Sequence, residues 1–262
     1  MTATVQKSPA VTPVYRIPPV RWGLPTAAGF VVGFMAVILL LVAGVPLLAL
    51  PADVSDIVVW IVGYGLLLAG LMVLTRTRGT GTWANDFGLR FRWFDIFTGL
   101  GSGIGCQIVG GMVAVMLVLL VGGTSRGNTA AEAENGVFLV LNGFVAVVLV
   151  APFAEELLFR GLVLRSIRHS MLRRSADPSR SLRVWAAITA VGVSAILFAA
   201  MHLREGWGSP ATMAALGAQT LVLGIVNGVF AVTTGRLWPG ILTHMTFNLY
   251  AAVLAALAAH SG

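Results

Sequence analysis

Residues Val137–Leu164 read VFLVLNGFVAVVLVAPFAEELLFRGLVL. The eighteen positions before Glu155 carry no charge, close to the ~20 apolar residues that cross about 30 Å of hydrocarbon. The run is apolar on every side of a helix, whereas a surface helix of a soluble domain would keep one polar face. Glu155, Glu156 and Arg160 then interrupt it within six residues. A membrane-spanning helix that carries its own charges is the reading that decides the fold.

Six further stretches of similar length flank this one and are essentially free of charge: Ala27–Leu50, Ile57–Thr75, Ile96–Gly122, Val184–Leu203, Ala211–Thr234 and Leu237–Ala259. Of the 262 residues, 57% are hydrophobic and only 10% charged, where soluble domains carry about 25% charge. Mean hydropathy is +0.90. These values exclude a soluble globular domain, a disordered chain and a nucleic-acid module, and the lone Cys106 excludes a disulfide scaffold. The expected fold is all-α: a polytopic bundle of seven to eight tilted transmembrane helices around a polar cavity. Residues 22–262 read as a single membrane domain. Residues 1–21, with Pro9, Pro13, Pro18 and Pro19, read as a disordered cytoplasmic tail. The tail lacks the apolar core of a cleaved signal, so the first span is expected to start translocation itself.

The net charge of +7 reports topology. Lys7, Arg16 and Arg21 precede span 1, and Arg76, Arg78, Arg90 and Arg92 lie between spans 2 and 3. Arg160, Arg165, Arg168, Arg173, Arg174, Arg180 and Arg183 follow or end span 4, and Arg236 separates spans 6 and 7. Arg126 and Arg204 alone occupy the alternate loops, so fifteen of the 17 basic residues share one side. The positive-inside rule makes that side cytoplasmic, with the N-terminus in and the C-terminus out. The same charges predict contact with anionic lipid rather than nucleic acid. Near-absence of lysine and the compact size fit a bacterial cytoplasmic (inner) membrane.

Gly99, Gly101, Gly103, Gly105, Gly110 and Gly111 crowd span 3. Ile104 and Cys106 stand where a dinucleotide fingerprint would need its third glycine, so the glycines read as surfaces for close helix packing.

Unpaired at the bilayer centre, Glu155, Glu156 and Arg160 would together cost about 8–10 kcal/mol. Glu156 and Arg160 are i,i+4 on one helix face and pair in the favoured acid-before-base order. Glu155 points about 100° away and has no local partner. His202 ends the fifth span after Phe198, and His244 with Asn248 forms an i,i+4 pair in the seventh. His169, in an Arg-rich loop, and His260, at the chain end, read as solvated. Ionisable groups inside a membrane usually face a bundle interior, so Glu155, His202, His244 and Asn248 are expected to converge. A carboxylate and an imidazole can activate water, and a second imidazole with an amide can stabilise an oxyanion. The same groups could relay protons in a carrier, and Glu155, His202 and His244 are also the set that would ligate zinc. No serine elbow and no HExxH motif is present.

Glu155-Glu156-x-x-x-Arg160, Phe198-x-x-x-His202 and His244-x-x-x-Asn248 resemble, in type and order, the three motifs of the CAAX-protease and bacteriocin-processing (Abi) family of intramembrane glutamate endopeptidases. The resemblance covers about residues 90–260. It implies that Glu155 is the general base, that His202 holds the water, and that His244 and Asn248 bind the oxyanion. Glu156, Arg160 and Phe198 would support them. It implies a peptide or lipidated protein substrate and no cofactor, with zinc as the minority alternative. A non-catalytic immunity or scaffold protein of the same fold and a proton-coupled carrier are the competing functions.

Overall fold

The computed structural model describes residues 20–125, 139–173, 175 and 177–261. Most of the expected tail (1–19, with Lys7 and Arg16), Arg126, Arg174 and the start of span 4 lie outside the described residues, as does the side chain of His260. Among the described residues eight helices follow one another: α1 (Leu24–Gly44), α2 (Ala52–Arg78), the single turn α3 (Trp83–Asp86), α4 (Asp95–Val121), α5 (residues 139–172), α6 (Arg180–His202), α7 (Pro210–Thr234) and α8 (Trp238–Ser261). No strand occurs among the described residues. Five helical segments, built on α1, α2, α4, α6 and α7, are long and apolar enough to cross a membrane. The other two long helices, α5 and α8, carry two of the three polar motifs, and the third, Phe198-x-x-x-His202, ends α6. The chain is a multi-pass, all-helical membrane bundle.

Its surface is inverted relative to a soluble protein. Leu40, Met112, Leu119 and Leu120 are 68–78% exposed, whereas Glu156, Arg160 and Asp95 are 0% exposed. Apolar side chains outside and charges inside match a lipid solvent, where apolar exposure has no penalty and an unpaired charge has a large one.

α5 occupies the middle, packed against α1, α2, α6, α7 and α8. It is one continuous helical rod of changing pitch: π-helical over Leu139–Val150, α-helical over Ala151–Glu156, π-helical over Leu157–Val163 and α-helical over Leu164–Leu172. Side chains of neighbouring helices donate to backbone carbonyls along it. Pro152 has no N–H to donate, and the carbonyl of Val147, five residues back, instead accepts from Asn248 Nδ2 at 2.7 Å. Ser194 Oγ on α6 donates to the Phe159 carbonyl at 2.9 Å.

α4 lies across α7 and α8. A Cβ on Gly99 or Gly103 would collide with Leu242, Thr243 or Thr246 of α8, and one on Gly110 would crowd Gln219 of α7. The packing expected of the span-3 glycines holds at these three positions; Gly101, Gly105 and Gly111 face open space. Gly88, at φ +72°, sits so close to Gly235 that a side chain would strike its carbonyl. The Gly88 carbonyl accepts from Leu237 N–H at 3.0 Å, tying the α3–α4 loop under the α7–α8 turn. Arg236 there forms a buried ion pair with Asp95.

One expectation is corrected. His169 is helical and 2% exposed, not solvated in a loop. The helix does not stop at Leu164, because the polar groups beyond it are buried against α7: Arg165 Nη2 donates to the Gly235 carbonyl at 2.8 Å. Burial, then the charges of Arg165, Arg173 and Arg168, push the His169 imidazole down from 6.5 to about 3. The native ring therefore stays neutral at pH values where an unfolded chain takes a proton. The contribution is complete above about pH 6.5 and is lost as pH falls toward 3. The melting temperature of the wild type in detergent should drop more between pH 7 and pH 4.5 than that of His169→Gln. An equal drop in both would remove His169 from the account.

Candidate active site

Straight spans of the expected lengths would hold Glu155 and His202 at different depths. The extra turns of α5 remove the conflict. From Glu155 to the end of α5 is about 26 Å at 1.5 Å per residue, and α6 runs back for about 33 Å. His202, at the far end of α6, then reaches the level of Glu155. His202 Nε2 lies 4.0 Å from Glu155 Oε2. His244 Nε2, from α8, lies 3.9 Å from the same oxygen.

The tautomers follow from the other ring nitrogens. His202 Nδ1 is 2.8 Å from the Phe198 carbonyl, which only accepts, so Nδ1 carries the proton. His244 Nδ1 is 3.2 Å from Glu156 Oε1, and a carboxylate likewise accepts. In the neutral rings both Nε2 atoms are therefore lone pairs turned toward Glu155 Oε2. Three acceptors meeting at such distances make a site for a small molecule that donates protons, and water does so.

Glu156 is the anchor beneath. Its Oε1 accepts from Arg160 Nη1 at 2.9 Å, from Asn227 Nδ2 of α7 at 2.9 Å, and from His244. The i,i+4 pair expected from spacing is thus present and buried. The Phe198 ring touches most of the cluster: the Arg160 guanidinium lies 4.5 Å from its centroid, His202 4.6 Å, and His244 stands edge-on at 5.4 Å. Gly224 leaves room for Arg160, since a Cβ there would sit 3.1 Å from Nη2. The His202 side chain is 12% exposed and Glu155 6%, so the cluster is closed on most sides and opens at the His202 edge.

Glu155, Glu156, Arg160, Phe198, His202 and His244 are thus one cluster. Asn248 belongs to the same face of α8, but its amide is engaged by the Val147 carbonyl. Two residues in contact with the carboxylates were not anticipated. Asn227 is, with Gln219, one of two amides in a span free of charge, a signal as legible as that of His244. Tyr64 of α2 donates to Glu155 Oε1 at 2.5 Å, and nothing in its surrounding sequence distinguishes it from any interfacial aromatic.

The zinc alternative has a geometric test. Ligands about 2.0–2.1 Å from tetrahedral zinc stand about 3.3 Å apart, closer than the 3.9 and 4.0 Å found here. Among the described residues, no three His, Cys, Asp or Glu side chains are grouped to hold a metal. As arranged, the set does not fit zinc.

An intramembrane bundle that buries a carboxylate between two imidazoles has the architecture of a membrane-embedded hydrolase. Residues 137–250 match the model of the family described as Type II CAAX prenyl endopeptidase Rce1-like, in line with the resemblance carried by the three motifs. The match spans α5 through most of α8 and leaves α1 to α4 outside. Comparison with curated proteins and with solved structures finds no match.

Proposed function

We propose that this protein is a glutamate-type intramembrane endopeptidase that hydrolyses a peptide bond of a membrane-associated or lipidated substrate. The observation that carries the reading is the convergence of His202 Nε2 and His244 Nε2 on one oxygen of Glu155. A water there donates one O–H to Glu155 Oε2 and the other to His202 Nε2, leaving an oxygen lone pair for the scissile carbonyl. Glu155 takes the water's proton as the C–O bond forms and passes it to the leaving amine as the C–N bond breaks. The oxyanion forms beside the edge of the His244 ring, which Glu156 holds at Nδ1. Asn248 joins it by exchanging the Val147 carbonyl for the substrate's. Glu156 and Arg160 keep His244 in place, and no step passes through a metal.

The grouping of basic residues supports an N-terminus inside, the near-absence of lysine and the compact size support a bacterial cytoplasmic membrane, and cleavage falls near the cytoplasmic face. The test is purified protein in lipid vesicles, presented with lipidated and transmembrane peptides. Cleavage that is unchanged by 1,10-phenanthroline is the expected result. Loss of cleavage on chelation, restored by zinc, would overturn the metal-free mechanism. No cleavage of either peptide class would count against the endopeptidase itself.

A further inference from the structure

Tyr64 lies outside the region that matches the family, 91 residues before Glu155, yet its hydroxyl makes the shortest contact to that carboxylate at 2.5 Å. The ring is 4% exposed. It is clamped by Trp60 one turn earlier, stacked at 5.2 Å and 3° between planes, and by Phe34 of α1 at 5.5 Å. An apolar clamp of this kind fixes the ring without help from its hydroxyl. A buried tyrosine hydroxyl nonetheless needs a partner, and here it takes Glu155 Oε1. That choice has a consequence for the other oxygen. A carboxylate is planar, so fixing Oε1 on α2 fixes where Oε2 points, and Oε2 points between His202 and His244. Glu156 and Arg160 cannot do this for Glu155, because they hold one another.

We propose that Tyr64 is the positioning residue of the general base: the α1–α2 hairpin supplies a hydroxyl that orients Glu155 toward the water-activating histidine. The N-terminal helices then complete the active site rather than merely anchoring it. This rests on Glu155 acting as the base.

Tyr64→Phe removes one oxygen and keeps the stack on Trp60 and Phe34. The expected result is a fall in kcat of about 10- to 100-fold with KM unchanged, the penalty of a misaligned reacting group, while the melting temperature stays within a few degrees of wild type. Trp60→Leu, which loosens the clamp but keeps the hydroxyl, should give a smaller loss of kcat, again at constant KM. A Tyr64→Phe enzyme with wild-type kcat would overturn the proposal. So would a loss matched by an equal loss of folded protein, which would make Tyr64 structural only. Should Tyr64→Phe fail to accumulate, a wild-type kcat in Trp60→Leu would overturn it alone. Glu155→Gln, run beside them, separates the two ideas. An active Glu155→Gln enzyme defeats the mechanism, whereas an inactive one beside a fully active Tyr64→Phe defeats only the positioning role.

Discussion

Glu155→Gln lowers kcat by about 100- to 10,000-fold, the range a positioned general base contributes, and leaves the protein folded. Both halves of that expectation come from the same contacts. The glutamine carbonyl oxygen can still accept from Tyr64, now as the acceptor that Oε1 was. Its NH2 group would face the two Nε2 lone pairs that now face Oε2. Every polar group keeps a partner, so little stability is lost. The proton acceptor is gone, and an amide does not replace it at neutral pH. Rates on a lipidated peptide, with a melting curve on the same sample, decide the matter. Wild-type turnover by a folded Glu155→Gln protein would remove Glu155 from the chemistry.

Arg160→Met is expected to be the most destabilising change in the bundle. It leaves the Glu156 carboxylate 0% exposed with Asn227 and His244 as its remaining donors. Removing one partner of a buried pair costs about 3–5 kcal/mol, because the other charge stays behind. The double variant Glu156→Gln/Arg160→Met removes both charges and keeps an amide for Asn227 and His244 to contact. It should regain most of the lost stability and remain inactive, since no carboxylate then holds His244. Unfolding in detergent for wild type, single and double variants gives the comparison directly. A single variant as stable as wild type would mean that the pair is not the anchor its burial implies. A double variant with full activity would free His244 from dependence on Glu156.

Much of this was legible without coordinates. Among the described residues the seven apolar stretches became seven long helices, most with ends shifted by a few residues, because a lipid solvent demands about the same length and the same apolarity of each. Span 4 is the exception at its C-terminal end. Its apolar run stops at Leu164, and hydropathy registers that as the membrane boundary. The helix runs on to Leu172 because Arg165 and His169 are buried by neighbours rather than by lipid. No local signal distinguishes an arginine in water from one donating to a carbonyl 70 residues away.

The site divides the same way. Glu155, Glu156, Arg160, His202, His244 and Asn248 stood out because a polar group in an apolar span needs compensation, and that rule operates residue by residue. Asn227 obeys it too. Tyr64 does not, since an aromatic with a polar tip is unremarkable in a membrane helix. Its role exists only when α2 is laid against α5.

The amino-acid sequence by itself therefore determined the solvent of this protein, the number of long helices, and the ionisable residues that the fold must bring inside. The energy of placing charge in hydrocarbon is large enough to be read from composition alone. The tertiary structure decided which of those residues face one another. It turned both histidines toward one oxygen of Glu155, put Glu156 at the junction of Arg160, Asn227 and His244, and gave Asn248 the carbonyl that Pro152 leaves without a donor. Those choices depend on where a helix ends and how its pitch changes, over distances that neither hydropathy nor spacing along the chain encodes.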